Sequence, residues 1–144
     1  MQCNQAGRDL IESFEKFEAV AYYDPNNIIT IGYGHTGPDV FHGQTCTQDQ
    51  ADAWLESDLA AAEACVTRMV TVALTDNQFS ALCCFVFNIG SGHFKGSSAL
   101  HLLNTGDYTD VPAHMMLWDE AGGAVSAGLV RRRTAEVALW NTEG

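Results

Sequence analysis

A chain of 144 residues can bury one sizeable core but not two independent ones, so a single domain is expected. Hydrophobic residues make up 47% and charged residues 17%, which excludes a disordered chain, and no apolar run approaches the roughly 18 residues of a membrane span. Eighteen acidic against seven basic side chains give a formal net charge of -11, which argues against non-specific binding to nucleic acid or to an anionic membrane.

From Gln5 to Phe17 the apolar residues Leu10, Ile11, Phe14 and Phe17 recur at three- and four-residue steps, which predicts an amphipathic helix. Glu15 lies one turn beyond Ile11 on that pattern and therefore points towards the buried side. Next come Ala19 to Tyr23, the turn residues Asp24-Pro25-Asn26-Asn27, and Ile28 to Gly34. Flanking β-branched and aromatic residues make this a β-hairpin, and Gly37 to Thr45 reads as loop. Thr47-Gln48-Asp49-Gln50 has the spacing of a capping box and opens a helix that runs to Met69. A second box, Thr75-Asp76-Asn77-Gln78, opens a helix through Phe79, Leu82, Cys83, Val86 and Ile89 that stops at Gly90. The remainder reads as three shorter helical patterns, broken at Gly106, at Gly122-Gly123 and at Gly128. The architecture is α+β: a small hairpin lobe, residues 15 to 58, on a helical lobe, residues 59 to 144, with the N-terminal helix packed against the latter.

Five cysteines, Cys3, Cys46, Cys65, Cys83 and Cys84, form an odd set without regular spacing and are expected as buried free thiols. The N-terminus lacks the pattern of an export signal, so synthesis and folding in the cytoplasm are expected.

Cleaving a glycosidic bond requires one protonated carboxylic acid for the leaving oxygen and one ionised group on the opposite face. Glu15, desolvated on its helix, and Asp24, ionised in a solvated turn, could supply that pair. Spacing alone leaves a second reading open, in which Glu15 is a helix-surface acid like Glu12 and Glu18 and Asp24-Pro25 is only a turn.

Three runs bear on that choice: Phe14-Glu15-Lys16-Phe17, Tyr22-Tyr23-Asp24-Pro25 and Thr30-Ile31-Gly32-Tyr33-Gly34-His35-Thr36. They resemble the active-site signature of the phage lysozyme (endolysin) family, glycoside hydrolase family 24. Eight residues separate Glu15 from Asp24 and five separate Asp24 from Thr30, as in that signature. The similarity continues through Phe85 to Gly92, Leu103 to Tyr108, Trp118, Gly122-Gly123 and Gly128 to Glu136. It implies a lysozyme-like fold and a muramidase that hydrolyses the β-1,4 bond between N-acetylmuramic acid and N-acetylglucosamine in peptidoglycan. Glu15 would be the general acid, Asp24 would act on or assist the attacking water, and Thr30 would help to hold it. The family's prototype inverts the anomeric carbon, which needs a carboxyl separation of roughly 6.5 to 9.5 Å.

The resemblance also places Thr36, Phe87 and Ser98 along a sugar-binding cleft, although Phe87 reads equally well as a core aromatic. Lys16 stands where many relatives have Gly, and Ser98-Ala99-Leu100 is looser than the usual Ser-Thr-Leu-Leu. No cofactor and no metal are expected. A zinc site from His35, Asp39, His42 and Cys46 is set aside because its spacing matches no closed zinc pattern, leaving His35 to hydrogen-bond within the hairpin lobe. A Cys83 or Cys84 nucleophile with His93 is set aside because a hydrophobic helix disfavours the thiolate. Arg131-Arg132-Arg133 is either a solvated face or turns at least one guanidinium into the cleft.

The expected partner is bacterial peptidoglycan, met by a monomer without a separate wall-binding module. The resemblance further implies residence in the host cytoplasm until a membrane pore of the holin kind gives access to the wall. Two other readings are a non-catalytic wall-binding protein of the same fold and a glycosidase acting on another amino-sugar polymer such as chitin.

Overall fold

The computed structural model describes residues 1–143. In chain order its elements are α1 (Gln5–Phe14), β1 (Glu18–Tyr23), β2 (Ile29–Gly32), α2 (Gln48–Met69), α3 (Asp76–Ile89), α4 (Ser91–Lys95), α5 (Ser98–Asn104), α6 (Val111–Met115), β3 (Glu120–Ala121), β4 (Ala124–Val125) and α7 (Ala127–Trp140).

The helical body is built around α3, which packs against α1, α2 and α7. Every residue from Phe79 to Val86 is buried, on all sides of the helix, as expected for a helix surrounded by others. Both predicted capping boxes form. Thr47 and Thr75 accept the N–H groups of Gln50 and Gln78, whose side chains reach back to the cap residues and satisfy donors that the first turn would otherwise leave free.

Three sequence expectations change. α1 ends at Phe14 instead of running to Phe17, so Glu15 is its C-cap residue, with φ -93° and ψ 85°. The periodicity reached further because Phe17 is also apolar, but its ring packs on Tyr33 in the hairpin lobe, 5.8 Å between centroids. The Gly122-Gly123 pair is the turn of the β3–β4 hairpin, where both residues have positive φ, and it separates strands instead of helices. Gly128 breaks nothing, since it lies in the first turn of α7, which starts at the Ser126 cap.

β1 and β2 pair antiparallel, with Tyr22 opposite Thr30 and Tyr23 opposite Ile29. Their register shifts between Glu18 and Tyr22. There the middle of β1 turns to the end of the long loop instead: Ala21 N–H donates to Gln44 O at 2.9 Å and Cys46 N–H donates to Ala19 O at 2.8 Å. All five cysteines are free thiols, four of them buried and Cys46 half-buried. No helix among the described residues is long and apolar enough to cross a membrane.

Candidate active site

Glu15 leaves the helical path just where α1 meets the hairpin lobe. Its carboxylate receives Arg132 Nη1 at 2.7 Å, and the side chain as a whole retains 18% exposure. Gly34, at φ +74°, lies against the same carboxylate so closely that a Cβ at that position would overlap it. Glycine is therefore required there twice, for the backbone conformation and for the space.

Arg132 is itself buried. It also donates to Cys84 O at 3.3 Å and to Glu136 Oε2 at 3.4 Å, so three acceptors hold its guanidinium in one orientation. The neighbouring Arg133 is fully buried over the Phe85 ring, hydrogen-bonded to Asn88. Its Nε stands 3.0 Å from Glu136 Oε1, an ion pair without an aligned hydrogen bond. Burial pushes Arg133 down to about 10 and pushes Glu136 up, against the opposing pull of the two arginines on Glu136. Arg131 is exposed. Of the arginine run, Arg132 is the one that turns to pair with Glu15, while Arg133 is buried in the core and Arg131 faces solvent.

Asp24 sits in the β1–β2 turn, where its Oδ1 accepts two backbone N–H groups, from Asn26 at 2.9 Å and from Ile28 at 2.8 Å. That arrangement fixes the carboxylate plane and leaves Oδ2 available. Thr30 is buried on β2 and donates its hydroxyl hydrogen to Ile28 O at 2.9 Å, so its oxygen remains an acceptor. Tyr22, opposite Thr30, has its phenol pushed up by burial first and then by the Glu15, Glu18 and Asp24 carboxylates. Both expected acids thus act on one phenol, and Tyr22 keeps its proton throughout the neutral range.

Beyond Gly34 an open cleft of about 180 Å3 runs between the hairpin lobe and the start of the helical body, with Thr36, Asp58 and Phe87 on its walls. Thr36 and Phe87 are therefore brought together. Ser98 does not line this cleft, and its hydroxyl pairs with His114 Nδ1 at 2.7 Å. His35, between the cleft-lining Gly34 and Thr36 in sequence, is buried with both ring nitrogens taken by carboxylates, Asp58 at 2.8 Å and Asp39 at 2.9 Å, and its ring stacks on Trp54 at 4.7 Å. His42 instead stacks on Tyr23. Cys83 and Cys84 have their thiols pushed up by hydrogen bonding with Cys3 and by burial, while His93 bonds the Ile89 carbonyl, so no thiol–imidazole pair exists between them.

Sequence reasoning did not single out Glu136, Tyr22 or Asn26 as individual functional residues. The four-residue spacing of Arg132 and Glu136 on one helix was a usable signal for Glu136. Nothing local pointed to the other two.

The phage lysozyme family model matches residues 12–136 of this chain. The chain belongs to the phage lysozyme family. Within that family it is 42% identical to an endolysin of Bacillus phage PZA over 99% of its own length and 56% of the relative's, and 38% identical to an endolysin of Acyrthosiphon pisum secondary endosymbiont phage 1 over 99% of both. The chain thus spans about half the length of that Bacillus phage endolysin. Among solved structures, the muramidase domain of SpmX from Asticaccaulis excentricus superposes with a TM-score of 0.86 at 38% identity, covering 99% of both chains. The phage lysozyme fold expected from the sequence, mainly helical with a small antiparallel hairpin, is the fold found.

Proposed function

We propose that this chain is a muramidase of the endolysin kind, hydrolysing the β-1,4 bond between N-acetylmuramic acid and N-acetylglucosamine in bacterial peptidoglycan and so lysing the cell. The observation that carries the reading is the Glu15 carboxylate, oriented by Arg132 at 2.7 Å and lying against the cleft-lining Gly34, in a member of the phage lysozyme family.

In this reading Glu15 gives its proton to the glycosidic oxygen as the bond to the anomeric carbon breaks. Water attacks that carbon from the opposite face and passes a proton to Asp24, whose Oδ2 is not engaged by the turn. Thr30 offers the water a second acceptor. Arg132 stays beside Glu15 as counter-ion for the carboxylate left after proton transfer. Thr36 and Phe87 contact sugar along the cleft, and Ser98 would serve only a strand that extends beyond it. The protein acts as a monomer, waits in the host cytoplasm, and reaches the wall through a holin-type pore.

The test is turbidity loss of outer-membrane-stripped cells with wild type and Glu15→Gln, with released ends identified by mass spectrometry. Wild type should clear the suspension and leave muramic-acid reducing ends, and Glu15→Gln, still folded, should be slower by about 100-fold or more. Equal activity of the two would remove Glu15 from the mechanism, and wall binding without clearing would make the chain a binding protein.

A further inference from the structure

The turn that carries Asp24 is held by more than its own lobe. Asn26 Oδ1 accepts the Gly122 N–H at 2.8 Å, across 96 residues of chain. Gly122 comes close enough that a Cβ there would stand 3.1 Å from Pro25 O, and its φ of +61° suits glycine. Asn26 also donates its own backbone N–H to Asp24 Oδ1. Gly122, Asn26 and Asp24 are therefore linked in series, from the β3–β4 turn through one side chain to the carboxylate.

The other end of the same stretch holds Glu15. Ser126 N–H donates to Asp119 O at 2.8 Å, closing the base of the β3–β4 hairpin, and the Ser126 side chain caps α7. α7 then delivers Arg132 to Glu15. One continuous segment, Glu120 to Trp140, thus grips the element bearing each carboxylate, Asp24 through Gly122 and Glu15 through Arg132. A bond between the two acids' elements that runs through a hairpin and a capped helix sets their relative position, a quantity to which the reaction is sensitive at the ångström level.

We propose that Asn26 is a positioning residue, which acts through its bond to Gly122 to hold the Asp24 turn at the distance from Glu15 that catalysis requires. Pro25, Asn26 and Asn27 are all exposed, so burial adds little to what the turn's own hydrogen bonds and this bond provide. The role rests on the muramidase reading.

The test compares wild type, Asn26→Ala and Asn26→Asp on solubilised peptidoglycan strands, each at its own pH optimum, and follows the Asp24 carboxyl carbon resonance and the exchange rate of the Gly122 amide by NMR. Asn26→Ala should lower kcat by about 10- to 100-fold with KM little changed, move the Asp24 resonance and speed Gly122 exchange, with the thermal midpoint close to wild type. Asn26→Asp keeps the acceptor for Gly122 and should recover most of the lost kcat. An unmoved Asp24 resonance, an unchanged kcat, or a kcat loss matched by loss of folded protein would each overturn the role. If wild type releases no muramic-acid ends, the muramidase reading itself fails, and the Asp24 resonance alone still decides whether Asn26 holds the turn.

Discussion

Arg132 and Glu15 are 117 residues apart in sequence and 2.7 Å apart in the fold, and their ion pair ties α7 to the end of α1. Arg132 and Arg133 share the buried Glu136, so removing either leaves a buried carboxylate short of a partner. Breaking such an arrangement from one side costs more than the pair contributes, because the remaining charge keeps its desolvation penalty.

The three adjacent arginines should therefore differ sharply. Arg132→Met and Arg133→Met should each lower the urea unfolding free energy by about 3 to 5 kcal/mol. Arg131→Met, at an exposed position, should change it by no more than about 0.5 kcal/mol. Similar losses at all three would mean that helix propensity, and not the buried network, sets the cost.

Gly34→Ala should damage activity beyond its effect on stability, since the added methyl displaces the Glu15 carboxylate. The expected loss is about 100-fold in kcat/KM. Gly106→Ala is the control, because Gly106 also has positive φ, +90°, but a Cβ there meets nothing within 4 Å. Both should destabilise by about 1 kcal/mol or more, and only Gly34→Ala should lose activity. Equal activity loss in the two would refute the steric account.

His35 supplies a pH dependence. Burial pushes its imidazole down, but the hydrogen bonds and charges of Asp39 and Asp58 outweigh burial, and the net shift is upward. A raised histidine stabilises fully below the unfolded value of about 6.5 and loses that contribution as pH rises through the folded value. Wild type should therefore exceed His35→Gln in thermal midpoint most at about pH 5.5, and the gap should narrow towards pH 9. A gap that widens with pH would reverse the assigned sign.

Charge bears on the proposed substrate as well. A net charge of -11 opposes approach to an anionic wall polymer, and salt shortens that repulsion to about 8 Å at physiological strength. Clearing rates should rise from low to moderate ionic strength. A steady fall with added salt would show that attraction to a local cationic surface, with Lys16, Arg68, Lys95 and Arg131 as the exposed candidates, governs encounter instead.

By itself the sequence determined the features whose causes lie within a few residues: the Thr47 and Thr75 capping boxes, the hairpin turn at Asp24-Pro25-Asn26-Asn27, the apolar run of α3, and the family signature through Glu15, Asp24 and Thr30. Each rests on a three- or four-residue contact, a strand period or a motif spacing, all of which are written in one dimension. Tertiary structure alone decided where α1 stops, because Phe17 is equally apolar in either continuation and only Tyr33 and Arg132 draw the chain away. It also decided which arginine serves Glu15. Successive residues on a helix turn by about 100°, so Arg131, Arg132 and Arg133 face three directions, and only the seating of α7 against α3 and α1 assigns one to solvent, one to Glu15 and one to the core. The Asn26–Gly122 bond joins two turns 96 residues apart, and no local pattern can register a partnership that exists only once both hairpins are folded and docked.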